Sequence, residues 1–276
     1  MNIFLTGGTG FIGSHFINEA LKSDITIYAL RRQNSSPRVN LNKAPLWLTK
    51  EMNEVDINDL KNIDVLVHLA AHSANVPYDI LTNCIQKNVI EPLALFEKAV
   101  AAGVRKFIVA GSCFEYGRSG ERYEFIPVDA PLEPTQTYPA SKALSSIAFQ
   151  QFAIQNNIKL SYQRIFQVYG EGELESRLWP ALRLAAQSGL DFQMTKGEQV
   201  RDFIEVSQVA KKLVEACTLD NLNEGKPLVV NLGSGKPQTI LEFSQYWWSF
   251  WNAKGTLAVG SLPYRDGEVM RFVPKI

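Results

Sequence analysis

The stretch Asn2-Ile3-Phe4-Leu5-Thr6-Gly7-Gly8-Thr9-Gly10-Phe11-Ile12-Gly13-Ser14-His15 decides the fold. A short, mostly apolar run leads through spaced glycines into a segment with apolar residues at 12, 16, 17, 20 and 21, the stripe of one helix face. Strand, glycine turn and helix in that order are the context a phosphate-binding turn requires. Gly7 permits the tight turn, Gly10 lets the backbone approach a pyrophosphate, and Gly13 lets the helix pack closely on the sheet. Phe11 and Ile12 open a helix whose unpaired N–H groups and dipole face the phosphates.

Working outward, apolar runs at 3–6, 25–30, 65–69, 106–110 and 160–165 alternate with helical stripes at 11–21 and 88–102. That alternation predicts βαβ units and an α/β fold: a Rossmann-type, doubly wound parallel sheet. After Tyr169 the chain becomes a loop, a helix at 178–186, a polar run at 195–201, a helix at 206–219 and a strand at 227–232. The expected organisation is a nucleotide-binding domain over 1–169, to which the chain returns at about 203–232. A small C-terminal substrate-binding part is expected from 170–202 and 233–276.

With 28 Lys+Arg against 28 Asp+Glu in 276 residues, the formal net charge is zero. Such a chain has no overall field to draw in a nucleic acid or an anionic membrane. Its longest apolar runs, around 65–71 and 107–110, fall far short of the roughly 20 residues that span a bilayer. Met1 leads directly into the first strand, so no secretory signal is expected. Cys84, Cys113 and Cys217 are odd in number, widely spaced and outside any CxxC pair, so reduced thiols and a cytoplasmic location are expected. His68 and His72 have no third ligand at metal spacing, and no metal is expected.

The residue at the end of the second strand selects the dinucleotide. An acidic residue there holds the ribose 2′-OH of NAD, whereas arginine accommodates the 2′-phosphate of NADP. Here the strand ends Ala29-Leu30-Arg31-Arg32, without a carboxylate. NADP(H) is therefore expected in preference to NAD(H), with solvated surface arginines as the alternative reading.

Tyr138 and Lys142 stand four residues apart in Tyr138-Pro139-Ala140-Ser141-Lys142. Pro139 restricts this point to the first turn of a helix, so both side chains leave the same face. A phenol with a pKa near 10 is a poor acid or base at neutral pH. A neighbouring ammonium, with the positive nicotinamide of an oxidised cofactor, is expected to lower it.

Taken together, these motifs resemble the extended short-chain dehydrogenase/reductase family, in its NAD(P)-dependent nucleotide-sugar epimerase, dehydratase and reductase branch. The residues that carry the resemblance are the Gly7–Gly13 loop, Asp56-Ile57, His68-Leu69-Ala70-Ala71, Asn88, Tyr138 to Lys142, Arg201-Asp202-Phe203-Ile204 and Asn231-Leu232-Gly233-Ser234-Gly235. The resemblance implies that Asp56, Ile57, Leu69, Ala70, Ala71, Asn88 and Ile165 join the glycine loop, Arg31 and Arg32 in binding the cofactor. It also implies that Lys142 reaches the nicotinamide ribose. Counting back from Gly117 in Gly111-Ser112-Cys113-Phe114-Glu115-Tyr116-Gly117 places Ser112 on the family's hydroxyl position.

Dehydratases of the family carry an Asp-Glu pair directly after that hydroxyl residue, and Cys113-Phe114 has neither acid. Cys113 reads as a small buried side chain. Glu115 either reaches the substrate or has a solvated or capping role. On the substrate side the resemblance implies contacts from Ser112, Cys113, Phe114, Gln167, Arg201 and Arg265, with Gln167 standing where the family usually has Asn. Arg265 lies in a turn where Asp266 replaces the family's proline.

The implied activity is NADPH-dependent reduction of the 4-keto group of a nucleotide-linked 4-keto-6-deoxyhexose, as in 4-ketoreductases of the CDP-abequose synthase kind that serve surface polysaccharides. A nucleotide-sugar epimerase with tightly bound NAD(P) is the alternative. The resemblance further implies a homodimer formed through the helices around 88–102 and 141–155.

Overall fold

The computed structural model describes residues 1–265 and 267–276; Asp266 lies outside the described residues. The chain opens with β1 (Asn2–Thr6), α1 (Phe11–Ala20), β2 (Thr26–Arg31), β3 (Leu46–Thr49) and β4 (Val65–His68). A long helical segment follows: α2 (Leu81–Ile85), a π-turn over Gln86–Ile90, and α3 (Glu91–Ala101). Next come β5 (Lys106–Ser112), α4 (Thr137–Gln155), β6 (Lys159–Ile165), β7 (Gln167–Tyr169), α5 (Leu178–Ser188), β8 (Phe192–Met194) and β9 (Val200–Glu205). The last third holds α6 (Val206–Thr218), β10 (Leu228–Leu232), β11 (Pro237–Thr239), α7 (Ile240–Phe250), β12 (Leu257–Val259) and β13 (Arg271–Phe272).

Seven parallel strands form the central sheet in the order β10-β6-β5-β4-β1-β2-β3. This is the expected doubly wound Rossmann sheet. Its central strands β1 and β4 read as unbroken apolar runs because helices cover both faces. On one face Phe16 and Ile17 of α1 meet Val209 and Leu213 of α6; on the other, Leu95 and Phe96 of α3 meet Phe149 and Phe152 of α4. A short sheet of β11, β9, β13 and β7 lies beyond the carboxyl end of β6. No helix among the described residues is long and apolar enough to cross a membrane.

Two features depart from the sequence reading. The strand Leu46–Thr49 went unread because it is a four-residue sheet edge, wedged between Pro45 and Lys50, with no buried residue to generate an apolar period. The helix expected at 88–102 begins instead at Leu81. The wider π-turn shifts the phase of the stripe, so residues before Asn88 do not line up with those after it.

The strand order reverses between β1 and β4, and at such a switch point the carboxyl ends of the strands open a crevice. The glycine loop leaves β1 there and is packed without slack. Gly7 has φ +77°, and a Cβ on it would stand 2.5 Å from the Ala70 nitrogen. A Cβ on Gly13 would stand 2.0 Å from the Gly7 carbonyl oxygen. In an ordinary helix interior, glycine to alanine adds roughly 0.5–1 kcal/mol of stability. Gly13→Ala is expected to do the opposite: a lowered Tm and at least about tenfold weaker dinucleotide binding, measured by thermal unfolding and fluorescence titration. A raised Tm with unchanged binding would contradict this packing.

Candidate active site

A cavity of 1440 Å³ runs along the carboxyl edge of the sheet, from the β2–β3 connection past the glycine loop to the segment after β7. Of the residues expected at the cofactor, Gly7, Gly10, Phe11, Ile12, Gly13, Arg31, Arg32, Leu69, Ala70, Ala71, Tyr138, Lys142 and Ile165 line it. Their placement starts from buried hydrogen bonds. Thr6 Oγ1 and His68 Nδ1 are 2.8 Å apart at the ends of β1 and β4, and Ala70 N–H donates to the same hydroxyl. Burial, and then the charge of Lys142, push His68 down to about 3, so it stays neutral as part of this join. Ser14 Oγ donates to the Gly10 carbonyl and accepts from Arg38 N–H, tying the glycine loop to the segment after β2.

That tie brings Arg38 to the cavity beside Arg31, Arg32 and Lys50. Arg31 lies over the Trp47 ring at 5.1 Å and donates from Nε to Thr49 Oγ1, so β3 aims it. Arg38 and Lys50 were not singled out from the sequence. Arg38 sits in a loop with no regular pattern, and Lys50 follows the unread strand.

Asp56 and Ile57 require a correction, since neither lines the cavity. β3 ends at Thr49, so the residues at the sheet's carboxyl edge are Lys50, Glu51 and Met52. Asp56 instead caps a 3-10 turn, accepting from Asn58 and Asp59 N–H, and Ile57 is exposed. Asn88 is also set back from the cavity. Buried in the π-turn, it accepts from His72 N–H and donates to His72 O and Ser141 Oγ, fixing the loop after β4 to α4.

At the centre of the cavity, Tyr138 occupies the first turn of α4, where Thr137 Oγ1 donates to Asp79 O at 2.7 Å. One turn on, Lys142 Nζ donates to Ala110 O at 2.7 Å. Ser112 ends β5 and accepts Phe114 N–H. The expected lowering of the Tyr138 phenol is not found in the protein by itself. Burial raises it most and the charge of Glu115 adds to that, while the Ser112 hydroxyl works in the opposite direction. Tyr138 is thus held in its acid form. Burial brings Lys142 down to about 8, and Glu115 opposes that fall.

Glu115 is fully buried and absent from the cavity lining. Its Oε1 accepts Ser112 N–H at 2.7 Å and the Tyr162 hydroxyl at 2.8 Å, and its Oε2 accepts Arg164 Nε at 2.8 Å. Arg164 continues to Tyr116, Val128 and Ser146, and Tyr116 to Asn231. Of the two roles open to Glu115 in the sequence, the capping one is realised, within a buried ion pair. Cys113 is buried in a small apolar cluster with Phe166 and Phe272, and burial pushes its thiol far above the ordinary range. Neither it nor Phe114 supplies an acid beside Ser112.

Ser112, Cys113, Phe114 and Gln167 line the substrate end, together with Tyr78, Glu173 and Arg177, which the sequence reading passed over. The Tyr78 ring lies 5.5 Å from that of Tyr138. Arg201 does not line the cavity: it donates to Glu268 at 2.9 Å and to the carbonyls of Val200 and Val269. Arg265 is exposed and also outside the lining.

A doubly wound sheet, a close-packed glycine loop and a Ser-Tyr-Lys constellation define a dinucleotide-dependent enzyme. The model of the NAD dependent epimerase/dehydratase family matches residues 3–233, and the chain belongs to that family. It is 26% identical to the CDP-abequose synthase of Salmonella muenchen, over 97% of this chain and 87% of the relative. Among solved structures, the UDP-N-acetylglucosamine 4-epimerase of Methanobrevibacter ruminantium M1, in complex with UDP-N-acetylmuramic acid, aligns with a TM-score of 0.88 at 25% identity. That alignment covers 100% of this chain and 89% of that one. MoeE5 in complex with UDP-glucose and NAD aligns with a TM-score of 0.83 at 26% identity, covering 100% of this chain and 90% of that one.

Proposed function

We propose that the protein reduces the 4-keto group of a nucleotide-linked 4-keto-6-deoxyhexose with NADPH. The observation that carries this reading is the cluster of Arg31, Arg32 and Arg38 at the far end of the cavity, with no acid at the end of β2; Lys50 beside them is already paired with Asp59 at 2.7 Å. A 2′-phosphate is the group such a cluster fits. NADPH is in turn the usual exchangeable reductant, which favours net reduction over epimerisation with a retained cofactor. The residues fit the dinucleotide along its length: the cations at the ribose phosphate, the Gly7–Gly13 loop at the pyrophosphate, and Lys142 at the nicotinamide ribose.

When bound, the reduced dinucleotide supplies the hydride. Tyr138, protonated at neutral pH, gives its phenolic proton to the O4 oxygen. Ser112 donates to the same oxygen as charge develops on it. Lys142 lies one helical turn from Tyr138, and its charge stabilises the phenolate left behind. The similarity to the CDP-abequose synthase supports a sugar nucleotide as substrate, as do the UDP-sugars named with the two solved structures. The lack of an acidic pair directly after Ser112, where Cys113 and Phe114 stand, speaks against dehydration. Exposed Leu144, Ile147 and Ile154 of α4 supply an apolar face on which a second copy would pack in a homodimer.

Two predictions follow from these roles. With CDP-, dTDP- and UDP-linked 4-keto-6-deoxyglucose, wild type is expected to consume one NADPH per product. Tyr138→Phe is expected to lose about 10²–10⁴-fold in turnover with dinucleotide binding retained. Inversion at C4 of a 4-hydroxy sugar nucleotide such as UDP-glucose, with no net consumption of dinucleotide, would instead make the protein an epimerase, and near-wild-type turnover in Tyr138→Phe would remove Tyr138 from the chemistry. Separately, Arg38→Ala is expected to weaken NADPH at least about tenfold while leaving NADH within about twofold, read by fluorescence titration. Equal losses for both cofactors would contradict the assignment of the 2′-phosphate.

A further inference from the structure

The anionic part of a sugar nucleotide needs a cation at the substrate end, and the two arginines expected there do not line the cavity. Arg201 is committed to Glu268 and two carbonyls, and Arg265 is exposed outside it. Arg177 does line it, and its charge reaches both Tyr78 and Cys113. Its one link among the described residues is from Nε to Glu173 Oε1 at 3.5 Å, longer than an ordinary charge-assisted bond. Both terminal nitrogens of its guanidinium are without a protein partner among the described residues.

Glu173 is as unusual as its partner. Its side chain is 9% exposed, and Oε2 is buried in the cavity wall with no hydrogen-bond partner. Burial pushes its carboxyl up to about 7, against the pull of Arg177. The same chain builds a completed buried pair in Glu115 and Arg164, at 2.8 Å with both carboxylate oxygens bonded. Glu173 and Arg177 are an unfinished pair by comparison, and a structural salt bridge gains nothing from a desolvated, unbonded oxygen.

We propose that Arg177 anchors the diphosphate of the substrate, its two terminal nitrogens donating bidentately to phosphate oxygens, and that Glu173 is the counter-ion that orients it before substrate arrives. This deepens the sugar-nucleotide reading and rests on it. Tyr78, which lies against Tyr138, feels the charge of Arg177 and, after it, that of Arg265; of these two arginines Arg177 is the one that lines the cavity, on the side next to the proton donor. Glu173 competes with the diphosphate for the guanidinium. Removing its charge therefore frees the anchor, whereas removing Arg177 removes it.

The test is calorimetric titration of the full chain, saturated with NADP⁺, with UDP, CDP, dTDP and GDP. Wild type is expected to bind at least one of them. Arg177→Ala is expected to bind it at least about tenfold more weakly, and Arg177→Lys several-fold more weakly, because an ammonium cannot donate as a fork. Glu173→Gln is expected to bind it as tightly as wild type or more tightly. If wild type binds none, the sugar-nucleotide reading fails and the anchor with it. If wild type binds and either Arg177 variant matches it, the anchor is overturned while the substrate class stands. Glu173→Gln as weak as Arg177→Ala would show a merely structural pair and overturn the proposal equally.

Discussion

The buried ion pair between Glu115 and Arg164 is the interaction on which the rest of the site depends. Removing a carboxylate and a guanidinium from water is costly, and it is tolerated only where the remaining donors and acceptors are met. Here they are. Ser112 N–H and the Tyr162 hydroxyl complete Glu115, while Tyr116, Val128 and Ser146 complete Arg164. Because Ser112 donates its N–H to Glu115, its position in the cavity wall is fixed by the same network. The negative charge also sits beneath Tyr138 and Lys142, disfavouring the phenolate of one and favouring the ammonium of the other.

Much of this was legible in the sequence, and the reasons differ from place to place. The glycine loop, β1, α1 and the Tyr138–Lys142 pair are local: each is a few residues whose spacing alone fixes their geometry. The adenosine end was half legible. Arg31 and Arg32 follow a readable strand, but Arg38 reaches the cavity only through the Ser14 bond. Asp56 and Ile57 were carried over from the family's motif, whereas the residues that line the cavity after β3 are Lys50, Glu51 and Met52, which an unread strand left unmarked. The substrate end was least legible. Whether Arg201 or Arg177 faces the cavity depends on Glu268, which is 67 residues from Arg201 in the chain and bonded to it in space. No periodicity in either segment reports that choice.

The zero net charge takes on a different meaning in the folded molecule. Cations gather at two ends of one cavity, Arg31, Arg32 and Arg38 at one and Arg177 at the other, while Lys50, Arg201 and Arg164 are paired with Asp59, Glu268 and Glu115. The separation suits a ligand with phosphates at each end of the cavity and a reacting carbon between them. It also explains how a chain without an overall field carries strong local ones.

The central claim is that the buried Glu115 charge acts, after burial itself, on the protonation of both Tyr138 and Lys142. NMR titration of the lysine ε-methylene carbons, in wild type and in Glu115→Gln, tests it without knowledge of the substrate. The account predicts that Lys142 titrates at about 8 in the wild-type protein and at a lower pH in Glu115→Gln. A Lys142 midpoint that stays the same or rises when Glu115 loses its charge, in a variant whose spectrum remains that of the folded protein, would contradict it.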